Sequence, residues 1–351
     1  MIRLLITGAS GFIGSHTCSL LLEMGYEIIA MDSYINSSPK TYKKIIEIVN
    51  SKSKNITNKL KIVEGDLRNI ETIKKIFKDA YLEKKPIEGV IHFAGLKAVG
   101  ESVEHPLKYW DYNFISAFNL VSTMIDFKCK YIVFSSSATI YGVENKGLLK
   151  ENSKIKPSNP YGNTKAAIEI LLQDVFQSNK NKLQIANLRY FNPVGAHPSG
   201  LIGEDPKGIP NNIFPIITRV SVGKISKLNV FGNDWPTRDG TGIRDYIHIM
   251  DLAEGHIKTL EFLMKNQTET INLNLGTGIG TSVLELIETF ELVNKVNIPY
   301  EFVPRRKGDI SEVIADNTYA KKLLNWAPKK NINDICKDGF NWQLKNPNGF
   351  N

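Results

Sequence analysis

The sequence predicts an α/β fold in which a doubly wound parallel sheet is accompanied by a smaller mixed α/β domain. In the first half of the chain, short apolar runs alternate with amphipathic helical patterns, as in successive βαβ units. A glycine-rich turn follows the first apolar run, and an acidic residue ends the second. After residue 191 the pattern changes, because glycine, proline and polar residues dominate as far as about residue 212.

The first βαβ unit predicts a site for a dinucleotide. An apolar strand at residues 2–6 runs into the glycine turn at residues 7–14, a helix ends near Gly25, and the strand at residues 27–31 leads to Asp32. Glycines let the backbone approach a pyrophosphate, and the helix N-terminus supplies N–H groups. Asp32 is suited to a ribose 2′-hydroxyl and would repel a 2′-phosphate, so this Rossmann-type unit indicates NAD rather than NADP.

The next segments extend the same sheet. A polar helix over residues 42–49 leads through a surface linker at residues 50–59 to a strand at residues 60–64. The carboxylate of Asp66, after that strand, could accept a hydrogen bond from an adenine amino group. It could also cap the helix predicted near residues 70–77, and the sequence leaves both roles open.

A further strand at residues 89–93 continues the alternation of strands and helices. We expect His92 within it to be a core histidine with satisfied hydrogen bonds rather than a metal ligand. The small residues in the segment 94–97, Ala94 and Gly95, allow a cofactor to approach closely. A single helix over residues 106–127 comes next and carries Asn113.

Hydroxyl groups collect at the end of the apolar strand at residues 131–134, where open α/β sheets place their ligands. Tyr161 and Lys165 begin the following helix and lie one turn apart on one face. An ammonium beside a phenol lowers the pKa of the phenol, which would make Tyr161 a general acid/base near neutral pH. A Tyr-x-x-x-Lys match also occurs by chance, so a partly exposed helix start is the alternative.

The pattern predicts a sixth strand at residues 183–190, followed by a domain boundary. We expect residues 1–191 to form a dinucleotide-binding domain and residues 192–351 to form a substrate-binding domain. The helical pattern at residues 251–264 is expected to return to the first sheet, so that a segment near residues 241–264 belongs to the first domain.

Composition and charge exclude several classes of protein. The 351 residues are 42% apolar, with no apolar run long enough to cross a membrane. Cys18, Cys129 and Cys336 are far apart in sequence and the histidines show no ligand spacing, so neither a metal site nor disulfides are expected. The net charge is +8, but no nucleic-acid module accompanies it, so we expect neither a nucleic-acid nor a membrane partner. The first apolar run leads into a glycine motif, so we expect a cytoplasmic protein.

Several longer motifs carry a resemblance to a known family. The turn at residues 7–14 matches TGxxGxxG, residues 93–102 read FAGLKAVGES, and residues 190–196 read YFNPVGA. With these motifs, and those at residues 135–142, 161–165, 231–237, 239–242 and 244–248, the sequence resembles the extended short-chain dehydrogenases/reductases and, within them, the UDP-glucose 4-epimerase family. The resemblance covers nearly the whole chain. It implies an isomerase that interconverts UDP-galactose and UDP-glucose through a 4-keto intermediate with bound NAD.

The resemblance also implies roles for individual residues. Ser137, Tyr161 and Lys165 would carry the chemistry. NAD would be held by Gly8, Gly11, Phe12, Ile13, Gly14, Asp32, Ser33, Asn36, Asp66, Leu67, Phe93, Ala94, Gly95, Lys97, Asn113, Tyr161, Lys165 and Phe191. The UDP-sugar would be held by Lys97, Ser137, Tyr161, Asn192, Asn212, Ile213, Val230, Phe231, Arg244, Arg306, Asp309 and Val313.

The basic residues among these have alternative interpretations. Arg244 and Arg306 have the forked donors that suit pyrophosphate oxygens, and Phe231 could pack against uracil. However, Arg244 could instead pair with Asp245, and residues 305–307 could form a solvated basic run.

Other functions are compatible with this type of fold. A nucleotide-sugar 4,6-dehydratase needs a carboxylate acid/base pair just after the central strand, where this chain has Ala138 and Thr139. A sugar ketoreductase would release its cofactor. A non-catalytic NAD-binding sensor would be expected to lose Tyr161 or Lys165, and both are present.

Two further expectations follow from the resemblance. Related epimerases commonly pair through two helices, here residues 106–127 and 161–176, so we expect a homodimer. In the family, the fourth residue after the Gly-Asp aspartate forms a wall of the sugar pocket, which a tyrosine closes to N-acetylated sugars. That residue is Val313 here, so the enzyme is expected to accept UDP-GlcNAc and UDP-GalNAc as well.

Overall fold

The structure, a computed structural model, describes residues 2–52, 58–144, 147–178, 183–208, 210, 212–266, 270–306 and 308–350. The predicted surface linker therefore lies partly outside the described residues, at positions 53–57. The chain divides into two compact units. The first comprises Met1–Gly142, Lys154–Arg189 and Ala253–Leu273, and the second comprises Val143–Ser153, Tyr190–Leu252 and Asn274–Asn351.

Strands and helices alternate through most of the described chain. The strands are β1 (Arg3–Thr7), β2 (Glu27–Asp32), β3 (Leu60–Glu64), β4 (Gly89–His92), β5 (Tyr131–Ser137), β6 (Gln184–Tyr190), β7 (Asn192–Val194), β8 (Leu228–Phe231), β9 (Ile243–His248), β10 (Ile271–Leu275), β11 (Gly280–Ser282), β12 (Tyr300–Val303) and β13 (Glu312–Val313). The α-helices are α1 (Phe12–Glu23), α2 (Lys40–Lys52), α3 (Ile70–Leu82), α4 (Val99–Glu104), α5 (Pro106–Tyr109), α6 (Ser116–Asp126), α7 (Pro160–Gln177), α8 (Ile213–Ser221), α9 (Ile249–Lys265), α10 (Val283–Asn294), α11 (Thr318–Leu324) and α12 (Ile332–Lys345).

The first unit is built on a seven-stranded sheet with the order β10-β6-β5-β4-β1-β2-β3. β1 pairs in parallel with β2 and with β4, so that Ile6 lies opposite Ala30 on one side and Ile91 on the other. The strand order reverses between β1 and β4, and doubly wound sheets bind ligands outside the carboxyl ends of strands at such a switch point. The predicted doubly wound parallel sheet is confirmed.

Apolar side chains hold the helices of the first unit against this sheet. Leu5, Ile29 and Val90 of the sheet share one buried cluster with Phe77 of α3 and Leu172 of α7. Burying each side chain of this kind stabilises the fold by about 1.5–3 kcal/mol. The cluster therefore fixes the strand ends that carry the candidate site.

The helix predicted over residues 106–127 is divided in the structure. α5 ends at Tyr109, a π-helical turn covers Trp110–Ile115, and α6 begins at Ser116. A π-helical turn is wider than an α-helical one and changes the direction of the side chains on it. Asn113 lies in this turn and is buried, which the simple amphipathic pattern did not predict.

The second unit contains small mixed sheets and its own core. β11, β9 and β13 are neighbours in one sheet, where β13 runs parallel to β9 and β11 runs antiparallel. β8 and β12 form a separate parallel pair. Phe214 of α8, Phe290 of α10 and Ile335 of α12 meet in one buried cluster. Nowhere in the described ranges is a helix both long and apolar enough to cross a membrane.

Candidate active site

The glycine turn after β1 has the geometry of a phosphate cradle. Gly8 has a φ of +67°, and a Cβ atom at this position would lie 2.7 Å from the backbone nitrogen of Ala94. Gly14 leaves no room for a Cβ against the carbonyl of Gly8. Among the described residues no side chain caps the N-terminus of α1, which begins at Phe12, and its first turn holds no acidic residue. Its N–H groups and positive dipole end therefore suit an anionic pyrophosphate.

Asp32 ends β2 beside this turn and is held in place by three donors. One carboxylate oxygen accepts the N–H of Ser10 at 2.9 Å, and the other accepts the N–H of Tyr34 at 2.9 Å and the hydroxyl of Ser37 at 2.8 Å. Ser33 and Asn36 follow in the same loop, where both are exposed. The fixed carboxylate can still accept ribose hydroxyls, and its charge opposes a 2′-phosphate.

Asp66 does not cap the helix that follows it. Asn69 caps α3 by accepting the N–H groups of Glu71 and Thr72. The carboxylate of Asp66 instead pairs with Arg68, at 2.6 Å between Oδ2 and Nη2, and this hydrogen bond lowers the pKa of Asp66. The capping alternative is therefore wrong, whereas the role of Asp66 toward adenine stays a prediction, as does that of its buried neighbour Leu67.

Asn113 ties the loop after β4 to the helix that carries Tyr161. Its Oδ1 accepts the N–H of Leu96 at 2.7 Å, while its Nδ2 donates to the carbonyl of Leu96 at 3.1 Å and to Thr164 Oγ1 at 3.1 Å. Lys97, the next residue in the loop, is exposed. Sequence alone placed Asn113 near the cofactor only by resemblance, and the structure gives it a direct positioning role for the loop.

His92, at the end of β4, is a buried core residue as predicted. Its Nδ1 lies 2.7 Å from the hydroxyl of Thr7, but Nε2 has no hydrogen-bond partner among the described residues. Burial, together with the positive charge of Lys165, lowers the pKa of His92 to about 3. It is therefore neutral at physiological pH, and only one of its ring nitrogens is satisfied.

Ser137, Tyr161 and Lys165 all lie at the carboxyl end of β5 and the start of α7. Ser137 Oγ accepts the N–H of Thr139 at 3.2 Å and its hydroxyl at 3.0 Å, which caps a short 3-10 turn. Asn159 caps α7 by accepting the N–H of Gly162 at 2.8 Å. These two caps fix the segments that present the three polar side chains.

Burial dominates the electrostatics of Tyr161 and Lys165. Lys165 Nζ donates to the carbonyl of Ser135 at 2.7 Å and lies 5.9 Å from the centre of the Tyr161 ring. Burial lowers the pKa of Lys165 to about 7, although the charge of Glu169 opposes the shift. Burial raises the pKa of Tyr161, opposed by a hydrogen bond with Ser137. The expected lowering of the Tyr161 pKa is therefore not met here, because the cost of burying the phenolate outweighs the interactions that favour it.

Two aromatic residues accompany these groups. Tyr109 packs edge-on against Tyr161 with 6.5 Å between ring centres, and its hydroxyl donates to Glu101 at 2.8 Å. Phe93, after β4, packs on His256 with 4.8 Å between ring centres. Tyr109 carries no local sequence signal, because only the fold brings it to Tyr161.

The second unit groups several of the residues predicted to hold a nucleotide. Phe231, at the end of β8, is 37% exposed, and the guanidinium of Arg306 lies 5.0 Å from its ring centre. Arg306 also pairs with Asp309 at 3.1 Å. The guanidinium of Arg305 lies 4.0 Å from the ring centre of Trp235. Both arginines are exposed, so the alternative of a solvated basic run stays open. Lys307 lies outside the described residues.

Arg244 does not pair with Asp245. The carboxylate of Asp245 accepts the N–H groups of Thr277, Gly278 and Ala315 and the hydroxyl of Thr277, whereas Arg244 Nη1 donates to the carbonyl of Ile243 at 2.8 Å. Neighbouring strand residues point to opposite faces, which explains why the two side chains separate. The ion-pair alternative for Arg244 is wrong.

The remaining predicted residues of this unit differ in exposure. Val313 of β13 lies beside Arg244 in the β9 register and is half-buried. Val230 is fully buried, so its side chain is part of the core and only its backbone can reach a ligand. Asn212 precedes Ile213 at the start of α8 and donates to Glu204 at 3.3 Å. Asn192 begins β7 and is half-buried.

Comparisons with known proteins cover nearly the whole chain. A family model described as GDP-mannose 4,6 dehydratase matches residues 5–339. The UDP-glucose 4-epimerase of Bacillus subtilis is 48% identical over 347 residues, which cover 99% of this chain and 98% of that protein.

Two solved structures are similar along almost the whole chain. The UDP-glucose-4-epimerase of Stenotrophomonas maltophila, with bound NAD and formylated UDP-arabinopyranose, has a TM-score of 0.92 at 41% identity and covers 98% of each chain. The UDP-glucose 4-epimerase of Bifidobacterium longum, in complex with NAD+ and UDP, has a TM-score of 0.90 at 43% identity and covers 99% of each chain.

Proposed function

The chain belongs to the UDP-glucose 4-epimerases, within the wider family that the dehydratase model describes, and on that premise we propose how its residues act. The reaction is the interconversion of UDP-galactose and UDP-glucose through a 4-keto intermediate, with NAD bound throughout. The observation that carries the assignment is the placement of Ser137, Tyr161 and Lys165 together at the carboxyl end of β5. They lie in the same unit as a glycine turn that fits a dinucleotide.

The cofactor half of the proposal is supported by the turn after β1. The glycine turn and the uncapped start of α1 fit a pyrophosphate, Asp32 fits an adenosine ribose, and the loop held by Asn113 fits the nicotinamide side. NAD bound there would accept hydride from C4 of the sugar and return it to the opposite face. Because nothing is consumed overall, the cofactor has to stay bound between the two steps.

The proton is handled by the chain itself. We assign Tyr161 as the base that takes the proton of the sugar 4-hydroxyl when C4 is oxidised, and as the acid that returns it. Ser137 shares a hydrogen bond with Tyr161 and can hold the reacting oxygen. Lys165, when protonated, supplies the positive charge that favours the phenolate form of Tyr161. Since burial raises the pKa of Tyr161, this charge and that of the oxidised nicotinamide have to offset the desolvation.

The proposed binding of the UDP part of the substrate is supported by residues of the second unit. Phe231 offers an exposed ring for uracil, and Arg306 and Arg244 offer forked donors for the diphosphate oxygens. We propose that this site is completed by Asn192, Asn212, Ile213, Val230, Asp309 and Val313, with Lys97 as a further ligand. Phe191 is proposed as a ligand of NAD. A firmly held nucleotide leaves the sugar free to turn, which the return of hydride to the opposite face requires.

A dehydratase is the alternative that the name of the family model raises. Elimination of the 6-hydroxyl needs an acid/base pair after the central strand, and that position is a short 3-10 turn beginning Ala138-Thr139, without a carboxylate. This observation favours the epimerase.

One assay separates the candidate functions. Purified protein is mixed with UDP-galactose, without added NAD, and the products are analysed by chromatography. We expect UDP-glucose. A 4-keto-6-deoxy sugar would indicate a dehydratase, activity that depends on added nicotinamide cofactor would indicate a ketoreductase, and no product would indicate a binding protein.

We further propose that N-acetylated sugars are substrates. Val313 has no ring to close the pocket, and it lies in register with Arg244 on the neighbouring strand. The wild-type protein should turn over UDP-GlcNAc as well as UDP-galactose. Val313→Tyr should retain its turnover of UDP-galactose. Its turnover of UDP-GlcNAc should fall by at least roughly tenfold, which is the scale of one steric mismatch.

The control for this substitution is Glu312→Tyr, since the side chain of residue 312 points to the opposite face of β13. It adds the same ring without reaching the pocket. Retained turnover of UDP-GlcNAc in Val313→Tyr would show that this residue is not the wall.

A homodimer is supported by exposed apolar side chains on the predicted pairing helices. Leu107 of α5, Phe118 of α6 and Ile170 of α7 are 82%, 50% and 62% exposed. Sedimentation of the purified protein at twice the chain mass is the expected result. We also propose a cytoplasmic location, which is compatible with Arg3–Thr7 forming an inner strand of the first sheet.

The functional domains are likewise a proposal. We assign NAD binding to residues 1–191 with the segment near 241–264, and UDP-sugar binding to residues 192–351. The division of the chain into two compact units supports a two-part organisation.

A further inference from the structure

A buried ion pair lies beside the helix that carries Tyr161. Glu169, in α7, is 7% exposed and Arg189, in β6, is 1% exposed. The guanidinium binds both carboxylate oxygens, with Nε at 3.0 Å from Oε1 and Nη2 at 2.7 Å from Oε2. Removing two charges from water is costly, so a buried ion pair is weak evidence for stability and calls for another explanation.

The pair has additional bonds that lead directly to the catalytic segments. Ser136, which precedes Ser137, donates its hydroxyl to Glu169 Oε1 at 2.5 Å. Arg189 Nη1 donates to the hydroxyl of Tyr141 at 3.0 Å, at the end of the 3-10 turn that Ser137 caps. The ion pair thus joins the end of β5, the turn after it, β6 and α7.

Lys165 lies one helical turn before Glu169 in α7. Its contacts therefore depend on the same position of α7 along β5. Its ammonium reaches the carbonyl of Ser135, which is adjacent to Ser136. A shift of α7 along β5 would therefore separate Lys165 from that carbonyl and Tyr161 from Ser137. The hydrogen bond from Ser136 to Glu169 opposes such a shift.

We propose that Glu169 and Arg189 are positioning residues for the catalytic set, acting through the register of α7 on β5 and through the charge of Lys165. This inference rests on the proposed epimerase function. Neither residue touches the reacting atoms in this scheme. Their effect is exerted through Ser137, Tyr161 and Lys165.

The charge of Glu169 matters because of the groups that face Lys165. From β5, the carbonyl of Ser135 and the ring of Phe134 approach its ammonium, the ring at 4.9 Å. From β4, His92 is neutral, and from α7 itself come the Tyr161 ring and Glu169. Of these groups, Glu169 carries the negative charge that favours the ammonium over the neutral amine.

The test is Glu169→Gln in the holoenzyme, assayed with UDP-galactose over a range of pH. Removal of a nearby anion lowers the pKa of an ammonium group, so the alkaline limb of kcat, where Lys165 loses its proton, should move to lower pH by about one unit. We expect kcat at neutral pH to fall roughly tenfold or more while KM changes little.

Glu169→Gln leaves Arg189 as an unpaired buried charge and could therefore unfold the protein. The double variant Glu169→Gln with Arg189→Gln replaces the ion pair by two amides that can bond to each other. It should recover the thermal stability but keep the displaced alkaline limb. The control is Asp338→Asn, which removes a buried carboxylate paired with Lys330 in the second unit and should leave the limb in place.

Two results would overturn the inference. One is a folded Glu169→Gln protein with wild-type kcat and an unmoved limb, and the other is a double variant that recovers the limb together with the stability. An inactive wild-type protein would instead refute the proposed function. In that case NMR titration of 13C-labelled lysine, with Lys165→Arg to assign the signal, still tests whether Glu169 raises the pKa of Lys165.

Discussion

At the scale of the residue, burial disfavours the charged forms of both Tyr161 and Lys165. In the proposed reaction Tyr161 loses a proton, although burial raises its pKa. Lys165 keeps its proton there, although burial lowers its pKa to about 7. Each group therefore depends on its neighbours. Ser137 favours the phenolate of Tyr161, and Glu169 favours the ammonium of Lys165.

Replacement of Tyr161 by phenylalanine keeps the ring and removes the proton acceptor. We expect kcat to fall by roughly 10²- to 10⁴-fold, the usual scale for general acid–base catalysis, while NAD stays bound. The measurement is turnover of UDP-galactose together with the NAD content of the purified protein. Tyr300→Phe removes an exposed hydroxyl in β12 and serves as the control. Near-normal turnover in folded Tyr161→Phe would contradict the assignment.

The choice of cofactor is a second property of one residue. Asp32 is fixed by Ser10, Tyr34 and Ser37, so its charge cannot turn away from a 2′-phosphate. Cofactor extracted from the wild-type protein should be NAD. Asp32→Asn should weaken NAD binding and reduce the ratio of the affinity for NAD to the affinity for NADP. Both affinities can be measured by titrating the cofactor-free protein with each nucleotide. Extraction of mainly NADP from the wild-type protein would contradict this role of Asp32. The control is Asp79→Asn, which breaks a surface ion pair of α3 and should change neither affinity.

At the scale of the element, the sequence located segments better than it located contacts. The strand–turn–helix unit around Gly8 could be predicted because glycine spacing and apolar period are local properties. The π-helical turn at Trp110–Ile115 could not, because the buried partners of Asn113 that accompany it, Leu96 and Thr164, lie elsewhere in the chain. The same holds for Arg189, whose partner Glu169 belongs to another element.

Asn113 gives a prediction that belongs to this scale. Asn113→Ala would leave the N–H of Leu96 unbonded and free the loop after β4 from α7. We expect the free energy of unfolding to fall by about 2 kcal/mol, since each buried group left unsatisfied costs about 1–3 kcal/mol. NAD should also be lost more readily on gel filtration. Asn294→Ala, which removes side-chain bonds within the second unit, should destabilise without loss of NAD. Full NAD retention in Asn113→Ala would contradict the positioning role.

At the scale of the whole molecule, the buried Lys165 opposes stability. Burial lowers the pKa of Lys165 from 10.5, the ordinary value for a lysine, to about 7, so between these values the unfolded chain binds more protons. Stability that depends on this group therefore rises with pH through that window, and the cost of the buried ammonium is greatest below it.

Lys165→Met removes that cost together with the activity. In the protein stripped of cofactor, the variant should unfold at a higher temperature than the wild type at pH 6–7. The difference should shrink as the pH approaches 10, because the wild type then buries a neutral amine. Calorimetry across this range measures both. A variant that is less stable than the wild type at pH 6 would mean that the bond to the carbonyl of Ser135 outweighs the desolvation.

The division of the chain into interleaved segments affects how the protein can be made. β10, at one edge of the first sheet, comes from residues that follow Tyr190–Leu252 of the second unit in sequence. During synthesis, one edge of β6 therefore stays unpaired until residues 271–275 have left the ribosome. An unpaired strand edge can form hydrogen bonds with other chains and so promote aggregation. A truncated product that ends near residue 191 would keep that open edge permanently. The first sheet is therefore complete only when the chain has been synthesised beyond residue 275. Expression of a fragment that ends at the apparent domain boundary should yield aggregated protein rather than an isolated nucleotide-binding domain.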